Sequence, residues 1–264
     1  MANDKKTVRK IIDAVKASGR TSLTAPEGKQ VCDAYGIPVP KEGVATTAAA
    51  AAKLASGMGY PVVLKIVSPD ILHKTEAGGV LVGVKSAAEV KAGFAKILAN
   101  AKKYNRKAQI LGVQVQQMVG GGQEVIIGAV TDPSFGKLVA FGLGGVLVEV
   151  MKDITFRLAP ATKDDALSML DGIAAAEMLK GVRGADPVNR TALAAVIRNV
   201  SQLVADFPEI AEMDLNPVFA SKAGAIAADV RIVCDWSPPP ARFRPKHDDI
   251  VRDMAKKNNL GAWN

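Results

Sequence analysis

Cysteine and histidine are scarce in these 264 residues, with two of each. Cys32 and Cys234 stand far apart and make no CxxC or CxxxC spacing. Neither a disulfide framework nor a zinc site is therefore expected, and a reducing, cytoplasmic setting is the default. Two imidazoles exclude any mechanism that needs several. No uninterrupted apolar run approaches the roughly 20 residues of a membrane helix. The opening MANDKK also lacks the apolar stretch of a secretory signal, so no membrane partner is expected. Charge of one sign is missing from the centre of the chain. The formal charge is +8, from 34 basic and 26 acidic side chains. Residues 1–20 hold six basic and two acidic groups and residues 237–264 hold six and three, leaving 22 against 21 in between. The body is thus not expected to bind nucleic acid. The two basic ends read as arms that dock on a partner.

What is present is an ordinary globular composition, 48% hydrophobic and 23% charged, long enough for one large domain or two small ones. Over 5–17, Val8, Ile11, Ile12 and Val15 recur at helical spacing with lysines on the other face. Thr24, Pro26 and Glu27 mark the start of a second helix that should stop at Gly36. Further helices are predicted over 47–56, 87–103, 163–180 and 189–206. Strands are predicted over 62–66, 80–84, 110–118, 123–131, 137–142, 210–219 and 225–234. This is an α/β or α+β layout with an antiparallel-looking, β-rich centre. Past Pro238-Pro239-Pro240 only a weak helical stretch over 247–257 is expected. No internal repeat is evident.

The densest chemistry lies in PVVLKIVSPDILHKTEAGGV, residues 61–80. Lys65 in mid-strand is costly to bury without an anionic partner. The loop that follows carries His73, Lys74 and Gly78-Gly79, and a Gly-Gly pair lets backbone N–H groups converge on an anion such as phosphate. The plainer reading is that Lys65 snorkels to a strand edge and the glycines only turn a hairpin. His73 is either a surface histidine without a role or, beside these lysines, a group that accepts phosphoryl or donates a proton near pH 7. Gly120-Gly121-Gly122 reads as a hairpin loop. Gly142-Leu143-Gly144-Gly145 superficially resembles a dinucleotide motif, but it lacks the final glycine and a βαβ unit. In EMDLNPV, residues 212–218, alternation puts Glu212, Asp214 and Asn216 on one face. With Asp229 from the following strand, that face offers oxygen ligands to a hard cation such as Mg²⁺; a solvated polar face is the alternative.

These stretches, together with GQEVIIG at 122–128, DPSFGKLVAFGLGGVLVEVMKD at 132–153 and FRLAP at 156–160, occur in the order found in a known family. Over roughly residues 20–235 the chain resembles the ATP-grasp subunit or domain of ADP-forming acyl-CoA synthetases (acetate–CoA ligases), and more distantly succinyl-CoA synthetase β subunits. The resemblance implies an ATP-grasp fold in which two subdomains clasp ATP. It divides the body into subdomains over 21–116 and 117–236; outside the match lie the basic N-terminal helix or arm over 1–20 and a basic, Pro-rich tail over 237–264. It also implies site roles. Lys65 and Lys74 would meet phosphate, and Gly78 and Gly79 would close a loop over it. Gln116, Gln117, Met118 and Val119 would form the hinge against adenine, and Glu124 would hold the ribose. Asn216 and Asp229 would bind Mg²⁺, while Glu212 and Asp214 rest on alternation alone. His73 would be a phosphoryl carrier, catalytic with Lys65, and Arg157 would assist at a phosphate. The implied reaction is acid + ATP + CoA ⇌ acyl-CoA + ADP + phosphate. It would be run with an α-type subunit that binds CoA and most of the carboxylic acid, in an α₂β₂ assembly. An ATP- or ADP-sensing module without catalysis, or a scaffold acting through its basic ends, would be the alternatives.

Overall fold

A computed structural model describes residues 3–71, 73–144, 153–182, 184 and 186–237. Two antiparallel sheets, each with its own core, form the molecule. The smaller sheet contains β1 (Glu42–Ala45), β2 (Val62–Val67), β3 (Val80–Val84) and β4 (Gly112–Gln117), in the order β1-β4-β2-β3. Strand alternation divides it into an apolar and a polar face. Leu64 and Ile66 of β2 and Val113 and Val115 of β4 pack under α3 (Ala48–Met58) and α4 (Ala87–Tyr104). Thr47 and Ser86 cap these two helices, accepting from the backbone N–H groups of Ala50 and Glu89.

The larger sheet runs β10-β8-β5-β6-β7, with β9 paired to β8. Its strands are β5 (Gln123–Asp132), β6 (Gly136–Leu143), β7 (Ile154–Leu158), β8 (Ile210–Ser221), β9 (Gly224–Ala227) and β10 (Val230–Cys234). Val125, Ile127, Phe141, Met213 and Leu215 face a helical layer. That layer comprises α1 (Lys5–Ala17), α2 (Ala25–Ala34), α5 (Lys163–Asp171), a 3₁₀ turn (Ala176–Lys180) and α6 (Arg190–Asp206). The chain passes from the small to the large sheet after β4 ends at Gln117.

Several expectations need correction. Residues 3–20 carry a helix but form no projecting arm, and residues 21–39 do not belong with the small sheet. Val8, Ile12, Val31, Cys32, Tyr35 and Ile37 are all buried in the core of the large one. The helix predicted over 163–180 breaks at Gly172, where the Asp153 carboxylate accepts the N–H groups of Ala174 and Ala175 at 2.7 and 2.9 Å and starts a separate turn. The strand predicted over 225–234 breaks at Ala228-Asp229. β9 pairs with Val218–Ser221 and β10 with Ile210–Leu215, and between those pairings lies Asn216-Pro217, whose proline has no N–H for a ladder. β1 and β7, finally, have no counterpart among the predicted strands. The stretches 145–152, with Gly145 and Glu149, and 238–264, with the helix expected over 247–257, lie outside the described residues.

Candidate functional site

A cleft of about 340 Å³ opens between the sheets, lined by Lys65, His73, Lys74, Thr75, Glu76, Val80, Asn216, Pro217 and Asp229. Five of the residues singled out in the sequence therefore converge: Lys65, His73, Lys74, Asn216 and Asp229. Lys65 lies on the polar face of β2 and is only 7% exposed. Its ammonium donates across the cleft to the Ala228 carbonyl at 2.8 Å and to Asp229 Oδ1 at 3.0 Å. The break between β9 and β10 makes this possible, because it frees a carbonyl from the ladder and aims the next carboxylate inward. Lys74 Nζ lies 3.4 Å from both Asp229 carboxylate oxygens. Burial pushes the Asp229 carboxyl up, but the fields of Lys65 and Lys74, and then their hydrogen bonds, outweigh it and hold the group below its ordinary value of 3.8. The carboxylate is therefore charged at neutral pH, and the lysine that looked too costly to bury has its anion.

His73 and Glu76 are exposed at the mouth of the cleft, with Nδ1 and Oε1 3.9 Å apart. The loop from His73 to Gly79 is held by its own backbone. Gly78 N–H donates to Thr75 at 3.0 Å, Gly79 N–H donates to Lys74 at 2.8 Å, and the Gly79 carbonyl accepts from Ile66 N–H at 2.7 Å. These two N–H groups are thus committed to the turn, and the expectation that Gly78-Gly79 offers them to an anion is corrected. The glycines are needed for space. Gly78 has φ +60°, and a Cβ on Gly79 would fall 2.5 Å from Ile66 Cγ2 and 3.0 Å from the Lys74 carbonyl. They set the path of a loop whose side chains face the cleft.

The oxygen donors at the cleft are the Asn216 amide and the ionised Asp229 carboxylate. Mg²⁺ is held by one or two carboxylates together with substrate phosphates and water, so this donor set fits that ion. Among the described residues, no group of three or more His, Cys, Asp or Glu is arranged to hold a metal ion. Any ion here would thus rely on oxygens from a ligand as well. Glu212 and Asp214 share the β8 face with Asn216, but Glu212 is paired with Arg231. Asp214 is half-buried. Burial raises its pKa, Arg231 draws it back, and Glu212 and Asp229 add to the rise.

Other predicted residues lie elsewhere. Gln117 and Met118 follow the polar edge of β4, their N–H groups donating to the carbonyls of Lys41 at 2.8 Å and Pro61 at 3.3 Å; Val119 comes next, and Glu124 is exposed at the start of β5. Arg157 turns away from the cleft, donating to Ser168 on α5 at 2.9 Å, so a role at a phosphate is not supported. Two buried polar residues are placed differently from the sequence reading, which passes over Gln114 and assigns Gln116 to the hinge. Gln114 and Gln116, 2% and 4% exposed, share the Lys65 face of the small sheet, and Gln116 Nε2 donates to Glu42 Oε2 at 3.0 Å. The alternation in GVQVQQ (residues 112–117) is the signal that marks them.

A family model described as an ATP-grasp domain matches residues 14–234. This chain belongs to the ATP-grasp family. The acetate–CoA ligase [ADP-forming] I subunit beta of Pyrococcus furiosus is 47% identical over 225 residues, which are 85% of this chain and 97% of that one. The 4-hydroxybutyrate–CoA ligase [ADP-forming] of Nitrosopumilus maritimus is 48% identical over 231 residues, or 87% of this chain, which spans only 33% of that longer relative. A dinucleotide-forming acetyl-coenzyme A synthetase 1 of Ca. Korarchaeum cryptofilum, solved with coenzyme A and Ca-AMPCP, superposes with a TM-score of 0.84 at 40% identity, covering 86% of this chain and 99% of that one. The same protein solved with Mg-AMPPCP, its phosphohistidine segment pointing towards the nucleotide binding site, gives 0.76 at 38%, covering 86% and 100%. The two-sheet ATP-grasp fold is shared with these neighbours.

Proposed function

We propose that this ATP-grasp chain is the nucleotide-binding, β-type subunit of an ADP-forming acid–CoA ligase. The carrying observation is the convergence of Lys65, Lys74, His73, Asn216 and Asp229 on one cleft between the sheets. The cations suit the phosphates of ATP, and the oxygen pair suits Mg²⁺, which on binding would neutralise phosphate charge. Lys65 and Lys74 then orient the γ-phosphoryl group, and little covalent chemistry is left to the fold. His73 at the mouth is the phosphoryl acceptor. An unprotonated ring nitrogen is the nucleophile. As the P–N bond forms, the bond from phosphorus to the ADP oxygen breaks. The phosphoryl group next passes to the carboxylic acid to give an acyl phosphate, and the CoA thiol displaces phosphate from it. Sites for CoA and the acid lie on an α-type partner, in keeping with the Pyrococcus relative being named a β subunit and with the longer single-chain relative. The hinge from Gln116 to Val119 takes adenine and Glu124 the ribose. Among the described residues no helix is long and apolar enough to cross a membrane.

The test is co-purification of the chain with its partner, followed by an assay of CoA-dependent ADP release across a panel of carboxylic acids. The wild-type complex should turn over at least one acid. His73→Asn should lower turnover about a hundredfold or more while leaving the affinity for Mg-ADP unchanged. A chain that binds Mg-ADP but whose His73→Asn variant turns over normally would refute the relay. Absence of CoA-dependent release with every acid would favour a nucleotide sensor.

A further inference from the structure

We infer that Gln114 is a positioning residue for Lys65, an acceptor held in reserve for the nucleotide-bound state; this rests on the nucleotide reading above. Lys65 and Gln114 are directly opposed in the β2–β4 ladder, and alternation points both to the polar face of the small sheet. Gln114 is 2% exposed, and its Oε1 is buried without a hydrogen-bond partner. Two residues along β4, Gln116 donates to Glu42, and the Gln114 side chain also reaches that carboxylate, which leaves Oε1 as the orphaned atom. An unpaired buried acceptor is unfavourable and rarely retained without a reason. The space in front of it is a crevice of about 10 Å³ lined by Lys29, Glu42, Gln116, Ala228 and Asp229. This is at the lower limit for one water molecule.

The reason lies in what Lys65 must do. In the resting fold its ammonium has three protons, two of them given to Ala228 and Asp229. An ammonium and a divalent cation on the same carboxylate oxygen repel each other. When Asp229 takes a metal-bound nucleotide, Lys65 must therefore withdraw from it towards its own sheet. Its register partner on that sheet is Gln114, with the Glu42 carboxylate on the same sheet close enough to feel the Lys65 charge. Gln114 Oε1 then accepts one ammonium proton, fixes the amine over the small sheet and leaves another proton for a phosphate oxygen. The acceptor is orphaned because its partner is bonded to Ala228 and Asp229 on the opposite wall.

This predicts opposite signs for stability and affinity. Gln114→Met keeps the length of the side chain and removes the orphaned oxygen. In the full chain its thermal midpoint should equal or exceed that of the wild type, while the Kd for Mg-ADP by calorimetry weakens about tenfold. Gln114→Asn, which retracts the acceptor by one methylene, should show a smaller loss of affinity and serves if the Met variant does not fold. A Kd within twofold of wild type for a folded variant would overturn the inference, whatever the midpoint. So would a lowered midpoint with unchanged Kd, which would mean that water satisfies Gln114 in the resting fold. A wild-type chain that fails to bind Mg-ADP would instead overturn the nucleotide reading itself.

Discussion

Lys65 and Asp229 define each other's state. The ammonium is almost fully enclosed, whereas the Asp229 side chain is 38% exposed, so their separation has unequal consequences. Losing Asp229 strands a buried charge; losing Lys65 leaves a carboxylate that water can still reach, with Lys74 beside it. Lys65→Met retains the apolar stem that packs along β2, so the folded chain should melt within a few degrees of wild type. Its affinity for Mg-ADP should fall about tenfold or more, since a charge-assisted contact to phosphate is gone. Thermal melting and calorimetry on one preparation check both halves, and a large drop in melting temperature without loss of affinity would contradict this assignment. Which side chains take part was legible in the sequence wherever residue type was unusual for its surroundings: a lysine in an apolar strand, an acid among alanines and valines. The alternation in GVQVQQ puts Gln114 on a polar face, but neither its burial nor that of Glu42 is legible until it is known which face the neighbouring subdomain covers.

Most helices and strands followed from periodicity and caps, and the failures share a cause. α5 ends at Gly172, where a Cβ would meet Thr155 Cγ2 at 2.9 Å, and the turn that follows begins on the carboxylate of Asp153, which is distant in sequence. Short β1 is held by β4, far along the chain, and short β7 is an edge strand held by β6 alone. A local pattern carries no trace of such partners. The Gly78-Gly79 loop shows the converse, a motif legible in the sequence whose glycines serve the turn and not an open anion cradle. Its N–H groups hold the turn together, and its glycines admit close packing against Ile66. Gly79→Ala should therefore act through the fold, with about 1–3 kcal/mol of destabilisation from the methyl forced against Ile66 Cγ2 and the Lys74 carbonyl. The loop should also exchange its amide hydrogens faster. Equilibrium denaturation with hydrogen exchange measures both. Unaltered stability with lost nucleotide binding would show instead that the glycine N–H groups serve the ligand.

At the scale of the whole molecule, the basic N-terminal segment proves to be part of the large subdomain. Several of its cations are taken up internally. Lys5 meets Asp206 at 2.8 Å, Arg9 meets Glu209 at 2.6 Å and lies 4.9 Å over the Phe207 ring, and Arg20 grips both Glu27 oxygens at 2.8 and 2.9 Å. Asp206 is the centre of this stapling, because it also accepts from Tyr35 at 2.8 Å and Gln202 at 3.0 Å and so joins α1, the end of α2 and α6. Burial raises its pKa, but the hydrogen bonds from Lys5, Tyr35 and Gln202 prevail and hold it below 3.8. The unfolded chain then binds a proton more readily than the folded one. The stabilisation is fully present above the unfolded value and disappears as pH falls through the lower folded value. Asp206→Asn should therefore cost about 2 kcal/mol at neutral pH and lose stability less steeply on acidification, until the two chains converge once the wild-type carboxylate is protonated. Urea titrations from pH 7 down to about pH 3 follow this directly. Parallel curves across the range would mean that the junction is held by apolar packing of Val8, Ile12 and Tyr35 alone, and that the charge of the first helix remains available for a partner.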